Sequence, residues 1–198
     1  VMRLSPLCFF LHSANMVPAD KDDEKSLITL ACEGDGLATH TLYRLHVRYL
    51  TAICSRYVAN KEDVKDVLQS SFLKIFTSLD SFEYRGTGSL RAWMVRVVVN
   101  ESLRFMKSQS RLTFEELPEQ YNASDEEPDT SDIPTAMIHE AIRQLPDGYR
   151  TIFNLYVIEE KSHKEIASML NIKESTSASQ LHRAKAMLAA KLKNIALD

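Results

Sequence analysis

The sequence predicts an all-α protein made of two small helical domains that an acidic linker joins. Glycine and proline, the residues that most often mark turns, number only 5 and 6 among 198 residues. No segment alternates apolar and polar residues over the length of a strand, whereas apolar residues recur every three or four positions in several long segments. A hydrophobic fraction of 44% and a charged fraction of 26% are typical of a soluble globular chain.

Charge is distributed unevenly along the chain, and this distribution predicts the domain boundaries. Residues 35–112 hold 12 Lys and Arg against 7 Asp and Glu, and residues 135–194 hold 9 against 6. Between them, residues 113–134 hold 8 Asp and Glu, no Lys or Arg, and three prolines. We therefore expect an extension or disordered segment over 1–23, a helical domain over 24–112, a solvated acidic linker over 113–134 and a second helical domain over 135–198.

Apolar residues at helical spacing predict four helices in the first domain. The expected ranges are 27–33, 39–58, 61–79 and 91–111. A Gly34-Asp35-Gly36 turn should end the first helix, and Asn60 is a suitable cap for the third. The predicted apolar stripe of the second helix consists of Leu42, Leu45, Tyr49, Ile53 and Tyr57.

The fourth of these helices predicts contact with a nucleic-acid strand. Arg96, Asn100 and Arg104 fall four residues apart and so share one helical face, with Lys107 one turn further on. A short loop with Phe82 precedes this helix and contains two glycines. Cations follow phosphates, aromatic rings stack on bases and an amide can read a base edge. The alternative is an ordinary surface helix with solvated charges.

The second domain predicts a helix-turn-helix. Ser162 lies three residues before Glu165, which is the pattern of a capping box at the start of a short helix over 162–170. Asn171 can close that helix in the left-handed conformation, and a long helix should follow, with Ser175 or Thr176 as its cap. A short helix, a tight turn and a longer helix form the helix-turn-helix pattern.

Polar residues near the start of the last helix are candidate readers of duplex DNA. The core side should be formed by Leu181, Ala184, Leu188 and Leu192. We expect the exposed N-terminal half to present Thr176, Ser177, Ser179, Gln180, His182 and Arg183. These side chains have suitable lengths for base edges and phosphates, because recognition helices enter the major groove by their N-terminal half. The alternative is a plain helical hairpin.

The sequence offers no pattern for catalysis, for a cofactor or for a metal ion. No Gly-rich phosphate loop, metal-ligand cluster or nucleophile–base pair occurs, so we expect neither an enzyme nor a small-molecule substrate. Cys8, Cys32 and Cys54 lie far apart and show neither metal nor disulfide spacing, which favours reduced thiols in the cytoplasm. No apolar run reaches the length of a membrane span, and the run from Leu7 to Leu11 is too short for a secretory signal.

The whole arrangement resembles the bacterial RNA polymerase sigma factors of the extracytoplasmic-function group. The resemblance covers residues 24–194 and includes both domains and the linker. It rests on the segment E-D-V-K-D-V-L-Q-S-S-F-L-K-I-F at 62–76, on S-F, R-G, A-W and V-N within 80–104, and on L-P, E-I-A and S-Q-L-H-R-A-K within 141–192. It implies a factor that directs core RNA polymerase to promoters and helps to melt them.

The resemblance also implies roles for particular residues. Asp66, Gln69 and Phe72 should dock on the clamp helices of the polymerase β′ subunit, and the second domain should meet the β flap. A flipped base of the minus-ten element should be held by Phe82 and the loop around Arg85 and Gly86, together with Lys74, Ser78 and Asn100. The last helix should read the minus-thirty-five element, the acidic linker should occupy a basic channel of the polymerase, and an anti-sigma factor is an expected partner.

Two other interpretations were compared with this one. A sigma mimic that only titrates an anti-sigma factor would need neither the basic face at Arg96 and Arg104 nor the polar start of the last helix. An ordinary helix-turn-helix repressor would leave the first domain and its aromatic loop unexplained. The sequence therefore favours an initiation factor over both.

Overall fold

The computed structural model describes residues 21–109, 112, 114 and 133–195. Every regular element in these residues is helical and none is a strand, which confirms the predicted all-α class. The helices divide into two compact units, each described separately below.

Four α-helices form the first unit. Their bounds are α1 Lys21–Cys32, α2 Gly36–Cys54, α3 Lys61–Thr77 and α4 Ser89–Ser108, with a single 3₁₀ turn Leu79–Ser81 between α3 and α4. α2 packs against α1, α3 and α4, and α3 also packs against α4. The first helix begins at Lys21, six residues before the predicted start, so residues 21–23 belong to this unit and not to an extension.

Side-chain caps explain where α2 and α3 begin. The Asp35 carboxylate accepts hydrogen bonds from the backbone N–H groups of Leu37 and Ala38, at 2.7 and 2.9 Å. The Asn60 side chain accepts from the N–H groups of Glu62 and Asp63, as predicted for a helix cap. Each cap satisfies amide donors that the first turn of a helix leaves without intrahelical partners.

The inward face of α2 differs from the predicted stripe. Leu42 and Ile53 are buried as predicted, but Leu45 is 46% exposed. His46 and Leu50 face the core in its place. The prediction for Leu45 is wrong because it admitted only apolar residues to the stripe, whereas one of the inward positions is held by a histidine.

Four further α-helices form the second unit. Their bounds are α5 Thr135–Arg143, α6 Asp147–Phe153, α7 His163–Leu170 and α8 Glu174–Ile195, and α6 continues into a π-helical turn Asn154–Ile158. α8 packs against α5, α6 and α7. Leu181, Ala184, Leu188 and Leu192 are all buried, so the predicted core side of α8 is confirmed.

The junction between α7 and α8 has the predicted turn chemistry. Ser162 and Glu165 form a complete capping box at the start of α7. Asn171 adopts φ 58° and ψ 50°, which is the left-handed conformation that closes α7. The expected cap of α8 is wrong, however, because the helix begins at Glu174 and its first turn closes on the carbonyl of Lys173, so Ser175 and Thr176 lie inside it.

Two of the predictions fall on residues outside the described ones. The acidic linker over 113–134 is described only at residues 114, 133 and 134, and the extension predicted over 1–23 only from Lys21 onward. None of the described helices combines the length and hydropathy needed to cross a membrane.

Candidate nucleic-acid and polymerase interfaces

The loop before α4 presents an aromatic pair at the surface. Phe82 follows the 3₁₀ turn and is half-buried against Trp93 of α4, with ring centroids 5.1 Å apart and planes at 39°. Gly86 and Gly88 have φ angles of 107° and 87°, a region that residues with a Cβ rarely adopt. The Ser89 hydroxyl donates to the Gly86 carbonyl at 2.6 Å and fixes the loop to the start of α4. The ring of Phe82 is therefore partly accessible on an ordered loop.

Arg85 has an acidic partner that the sequence did not point to. Its guanidinium donates through Nε and Nη2 to one carboxylate oxygen of Glu83, at 3.2 and 2.8 Å. This hydrogen bond, followed by the attraction of opposite charges, raises the pKa of Arg85. Both side chains are about three-quarters exposed, so a strand phosphate can compete with Glu83 for the arginine.

The polar face of α4 is exposed as predicted. Arg96, Asn100 and Arg104 all lie on the surface, as does Lys107. The Lys74 ammonium reaches this helix from α3 and donates to Glu101 Oε1 at 2.9 Å. Ser78, at the end of α3, donates its hydroxyl to the Lys74 carbonyl at 2.6 Å. The structure thus links Lys74 to α4 through Glu101, a residue that the sequence gave no reason to select, whereas the Ser78 bond stays within the end of α3.

The exposed side of α3 differs in one residue from the predicted docking surface. Asp66 and Gln69 are exposed and three residues apart, so they share a face. Leu73 lies one further turn along and is 68% exposed. Phe72 is buried instead, with its ring 4.7 Å from Tyr43 and 5.9 Å from Phe76 between centroids. This burial contradicts the prediction that Phe72 contacts the polymerase directly. Its ring belongs to the core and supports α3 from the inside.

Two of the candidate readers on α8 are buried. Ser177 is 0% exposed and Gln180 1%, so the prediction that they lie on the exposed half is wrong. The inward positions of α8 follow one another at intervals of three or four residues, and Ser177 extends the row of Leu181 and Ala184 by one turn. Ser177 has a partner inside the unit, because its Oγ lies 3.0 Å from Nδ1 of His163.

The other candidates on α8 remain accessible. Ser179 and His182 are exposed, and Thr176 and Arg183 are half-buried. Ser179 also donates its hydroxyl to the Thr176 carbonyl at 3.1 Å, a bond that a base edge can replace. The exposed face at the start of α8 therefore runs along Ser175, Ala178, Ser179 and His182, with Arg183 at its side.

A buried arginine ties α5 to α6. Arg150 is 3% exposed and donates through Nη1 to the carbonyl groups of Arg143 and Leu145, at 3.1 and 3.0 Å. Its Nη2 donates to Asp147 at 2.6 Å. These bonds satisfy carbonyl groups at the end of α5, so Arg150 supports the platform on which α8 packs.

Two family models match this chain, in the order of its two units. "Sigma-70 region 2" matches residues 42–112, and "Sigma-70, region 4" matches residues 135–188. Together these regions span more than half of the chain. The first includes α3, the aromatic loop and α4, and the second includes α5, α6, α7 and α8 as far as residue 188, with the whole of its exposed start.

Relatives that align along most of the chain are also found. An "ECF RNA polymerase sigma-E factor" of Haemophilus influenzae is 26% identical over 187 residues, which is 88% of this chain and 97% of the relative. The protein with the same name in Escherichia coli K12 is 27% identical, over 82% of this chain and 90% of the relative. A chain in the solved "Structure of CnrH in complex with the cytosolic domain of CnrY" is 22% identical, with a TM-score of 0.46, over 86% of this chain and 97% of that chain.

Proposed function

The chain belongs to the sigma-70 family as a sigma factor of the extracytoplasmic-function type, and we propose how its residues direct core RNA polymerase to a promoter. The observation that carries the proposal is the order of the two matched regions, each with an exposed polar helix face: that of α4 in the first and that of α8 in the second. Sigma factors are initiation factors without catalysis of their own, since the polymerase holds the active site.

The aromatic loop and α4 are the proposed minus-ten site. A base that leaves the duplex loses its stacking, and an aromatic ring can restore about 1–3 kcal/mol of it. The half-buried ring of Phe82, backed by Trp93, is available for this role. Asn100 then offers hydrogen bonds to the edge of the flipped base, and the neighbouring cations hold phosphates. The loop around Arg85 and Gly86, with Lys74 and Ser78, completes the proposed site.

The start of α8 is the proposed minus-thirty-five site. Ser179 and His182 point to solvent and can reach base edges in the major groove, while Arg183 and Thr176 suit phosphates. Ser177 and Gln180 are outside the set of direct readers because both are buried. Their role is to hold the recognition helix in place.

The exposed face of α3 is the proposed dock for the polymerase. Asp66 and Gln69 supply polar groups for the β′ clamp helices, and the second unit is proposed to meet the β flap. The chain is proposed to act in the cytoplasm, where core polymerase and promoter DNA are found, and to be held by an anti-sigma factor. The sigma-mimic interpretation finds no support among the relatives, whose names are those of sigma factors.

Run-off transcription tests this function directly. Purified chain is added to core polymerase from the same source with sheared genomic DNA as template, and the RNA 5′ ends are mapped. We expect discrete transcripts that depend on the added chain and that share upstream motifs at two fixed distances from the start. Core polymerase alone, and core polymerase with the chain cut within residues 113–134, are the controls. Transcripts that do not depend on the chain would contradict the proposal.

A further inference from the structure

We propose that Glu101 is a specificity-determining residue of the minus-ten site, because it positions Lys74 and withdraws one unit of positive charge from the α4 face. The inference rests on the proposed function, in which this face binds the non-template strand. Glu101 touches no DNA itself in this account. It acts through the cations that it holds.

The carboxylate lies beneath the face and not on it. The side chain of Glu101 is only 11% exposed, whereas Lys74 is 54% and Arg104 is 77% exposed. Its Oε1 accepts from Lys74 Nζ at 2.9 Å and lies 3.7 Å from Arg104 Nη1. Removing a partner from a buried carboxylate is strongly unfavourable, so Glu101 holds its cations persistently.

This pair differs from the other acid–base pairs of the first unit. Lys65 and Glu62 pair at 2.8 Å, but both side chains are more than two-thirds exposed. The same holds for Arg85 and Glu83. Exposed pairs of that kind contribute little and exchange readily with solvent. Of these three pairs, that of Lys74 and Glu101 is the one that ties an exposed cation to a largely buried acid.

The position of Glu101 makes this anchoring relevant to DNA. Asn100, the proposed reader of the flipped base, is the adjacent residue and is exposed. Lys74 comes from α3, 27 residues earlier in the chain, and without Glu101 its flexible four-carbon stem would leave the ammonium free to take many positions. With Glu101 in place, the ammonium is held at the residue that follows Asn100 in α4, with N–H groups left for a strand acceptor.

Charge gives the second part of the inference. Lys74 and Arg104 carry two positive charges, and Glu101 removes one of them from the field that a strand meets. Each phosphate neutralised on a single strand steepens the dependence of log K on log salt by about 0.7. The wild-type face therefore attracts any strand less than its exposed cations alone would, and it relies more on fixed contacts.

The test compares Glu101→Gln with the wild-type chain, each assembled with core polymerase. The probes are labelled single strands, one with the minus-ten sequence mapped by run-off transcription and one with the same bases scrambled, at several salt concentrations. We expect the variant to bind the scrambled strand more tightly than the wild type does. Its plot of log K against log salt concentration should be steeper by about 0.7, which is an extra change of about fivefold in affinity for each tenfold change in salt. The ratio between the two probes should fall by about fivefold or more, the low end of what one good base contact provides.

Two further variants separate the possible causes. Glu62→Gln neutralises a carboxylate that is also paired with a lysine, but it lies 12 residues before Lys74 on α3, about 18 Å away at 1.5 Å per residue. It should change neither the slope nor the ratio. Glu101→Asp keeps the charge but shortens the reach to Lys74, so the slope should stay at the wild-type value while the ratio falls. Should Glu101→Gln fail to fold, this variant decides the matter.

The outcomes distinguish this inference from the proposed function. If the wild-type holoenzyme shows no preference for its own minus-ten strand, the proposed site fails and the inference fails with it. If the wild type is selective and both Glu101 variants keep that selectivity, only the inference is overturned. Equal weakening of both probes by Glu101→Gln, with an unchanged slope, would assign Glu101 a purely structural role.

Discussion

His163 Nδ1, at the first residue of α7, lies 3.0 Å from Ser177 Oγ in the first turn of α8. The imidazole also stacks on Tyr156, with ring centroids 4.6 Å apart. The contact joins α7 to α8 at a point where Ser177 is fully buried and His163 is half-buried. The orientation of α8, the proposed recognition helix, therefore depends in part on a serine that does not reach the surface.

Ser177→Ala and Ser179→Ala should have opposite effects, because one hydroxyl is buried and the other is exposed on the same helix. Ser177→Ala removes a buried hydrogen bond, at a cost of about 1–3 kcal/mol, and should lower the melting temperature and weaken binding to every duplex about equally. Ser179→Ala should keep the melting temperature and change base preference. Circular dichroism and anisotropy on labelled duplexes measure the two effects. If Ser177→Ala changed base preference and Ser179→Ala lowered the melting temperature, α8 would present the opposite face to solvent.

Substitutions on the exposed and buried sides of α3 should have different effects, the first on polymerase binding and the second on folding. Replacing Asp66 and Gln69 together with Ala should weaken binding to core polymerase, by about 1–3 kcal/mol for each desolvated hydrogen bond lost, and leave the helical signal intact. Phe72→Ala should instead destabilise the first unit by about 3–5 kcal/mol, as expected for a buried aromatic ring. Titration of labelled chain with core polymerase and thermal melts check both. Unchanged affinity of the double variant would place the docking surface elsewhere.

His46 should make the first unit sensitive to acid. Burial, and then the positive charge of Arg91, lower the pKa of His46 from 6.5 to about 4. The neutral ring is favoured in the folded unit, so stability is complete above about pH 6.5 and is lost as the pH falls toward 4. The loss from this group should be about 2–3 kcal/mol by pH 4.5, at 1.36 kcal/mol for each pH unit.

The measurement uses urea unfolding at pH 7 and pH 4.5, followed by the fluorescence of Trp93, the one tryptophan of the chain. His46→Leu should remove most of this component of the acid sensitivity. His40→Leu, an exposed position on the same helix, is the matched control and should retain it. Equal acid sensitivity in wild type and His46→Leu would show that the buried ring is not responsible.

The acidic linker should act inside the polymerase and not on DNA. Its 8 carboxylates with no cation would repel DNA lying beside them. The resemblance to sigma factors implies that this segment lies in a basic channel of the enzyme. Replacing these carboxylates over 113–134 by amides should weaken holoenzyme assembly and change the yield of abortive RNA, with binding of free chain to upstream duplex unaffected. A neutral linker of equal length that transcribes identically would reduce this segment to a tether.

Local pattern was sufficient to place most of the helices and three of their predicted ends, although it misplaced the start of the first helix and the cap of α8. Asn60, Ser162 and Asn171 act as predicted, because a cap depends only on neighbours within a few residues. The apolar side of α8 was equally clear from its spacing. These features follow from local rules that the rest of the fold reinforces.

Polar residues with distant partners could not be placed in this way. The cluster of polar residues at the start of the last helix predicts an exposed Ser177, yet His163 supplies its partner from 14 residues away. Nothing in the sequence distinguishes Glu101, because its partner Lys74 lies 27 residues earlier in the chain and only the packing of α3 on α4 brings the two together. Phe72 matched a docking motif by type, but its spacing from Tyr43 and Phe76 in the fold makes it core.

The central claim is that the first unit opens the minus-ten region and the second unit reads the minus-thirty-five element. One pair of templates tests this claim. Transcription is measured for Phe82→Ala and Arg183→Ala, each on a duplex promoter and on the same promoter with the minus-ten region supplied as an unpaired bubble. We expect both variants to be defective in transcription from the duplex promoter. Both proteins should unfold thermally at the same temperature as the wild type. The bubble should largely rescue Phe82→Ala, because the strand is already open, and should not restore upstream-dependent transcription by Arg183→Ala. Rescue of both variants, or no rescue of Phe82→Ala with single-strand binding intact, would contradict the account.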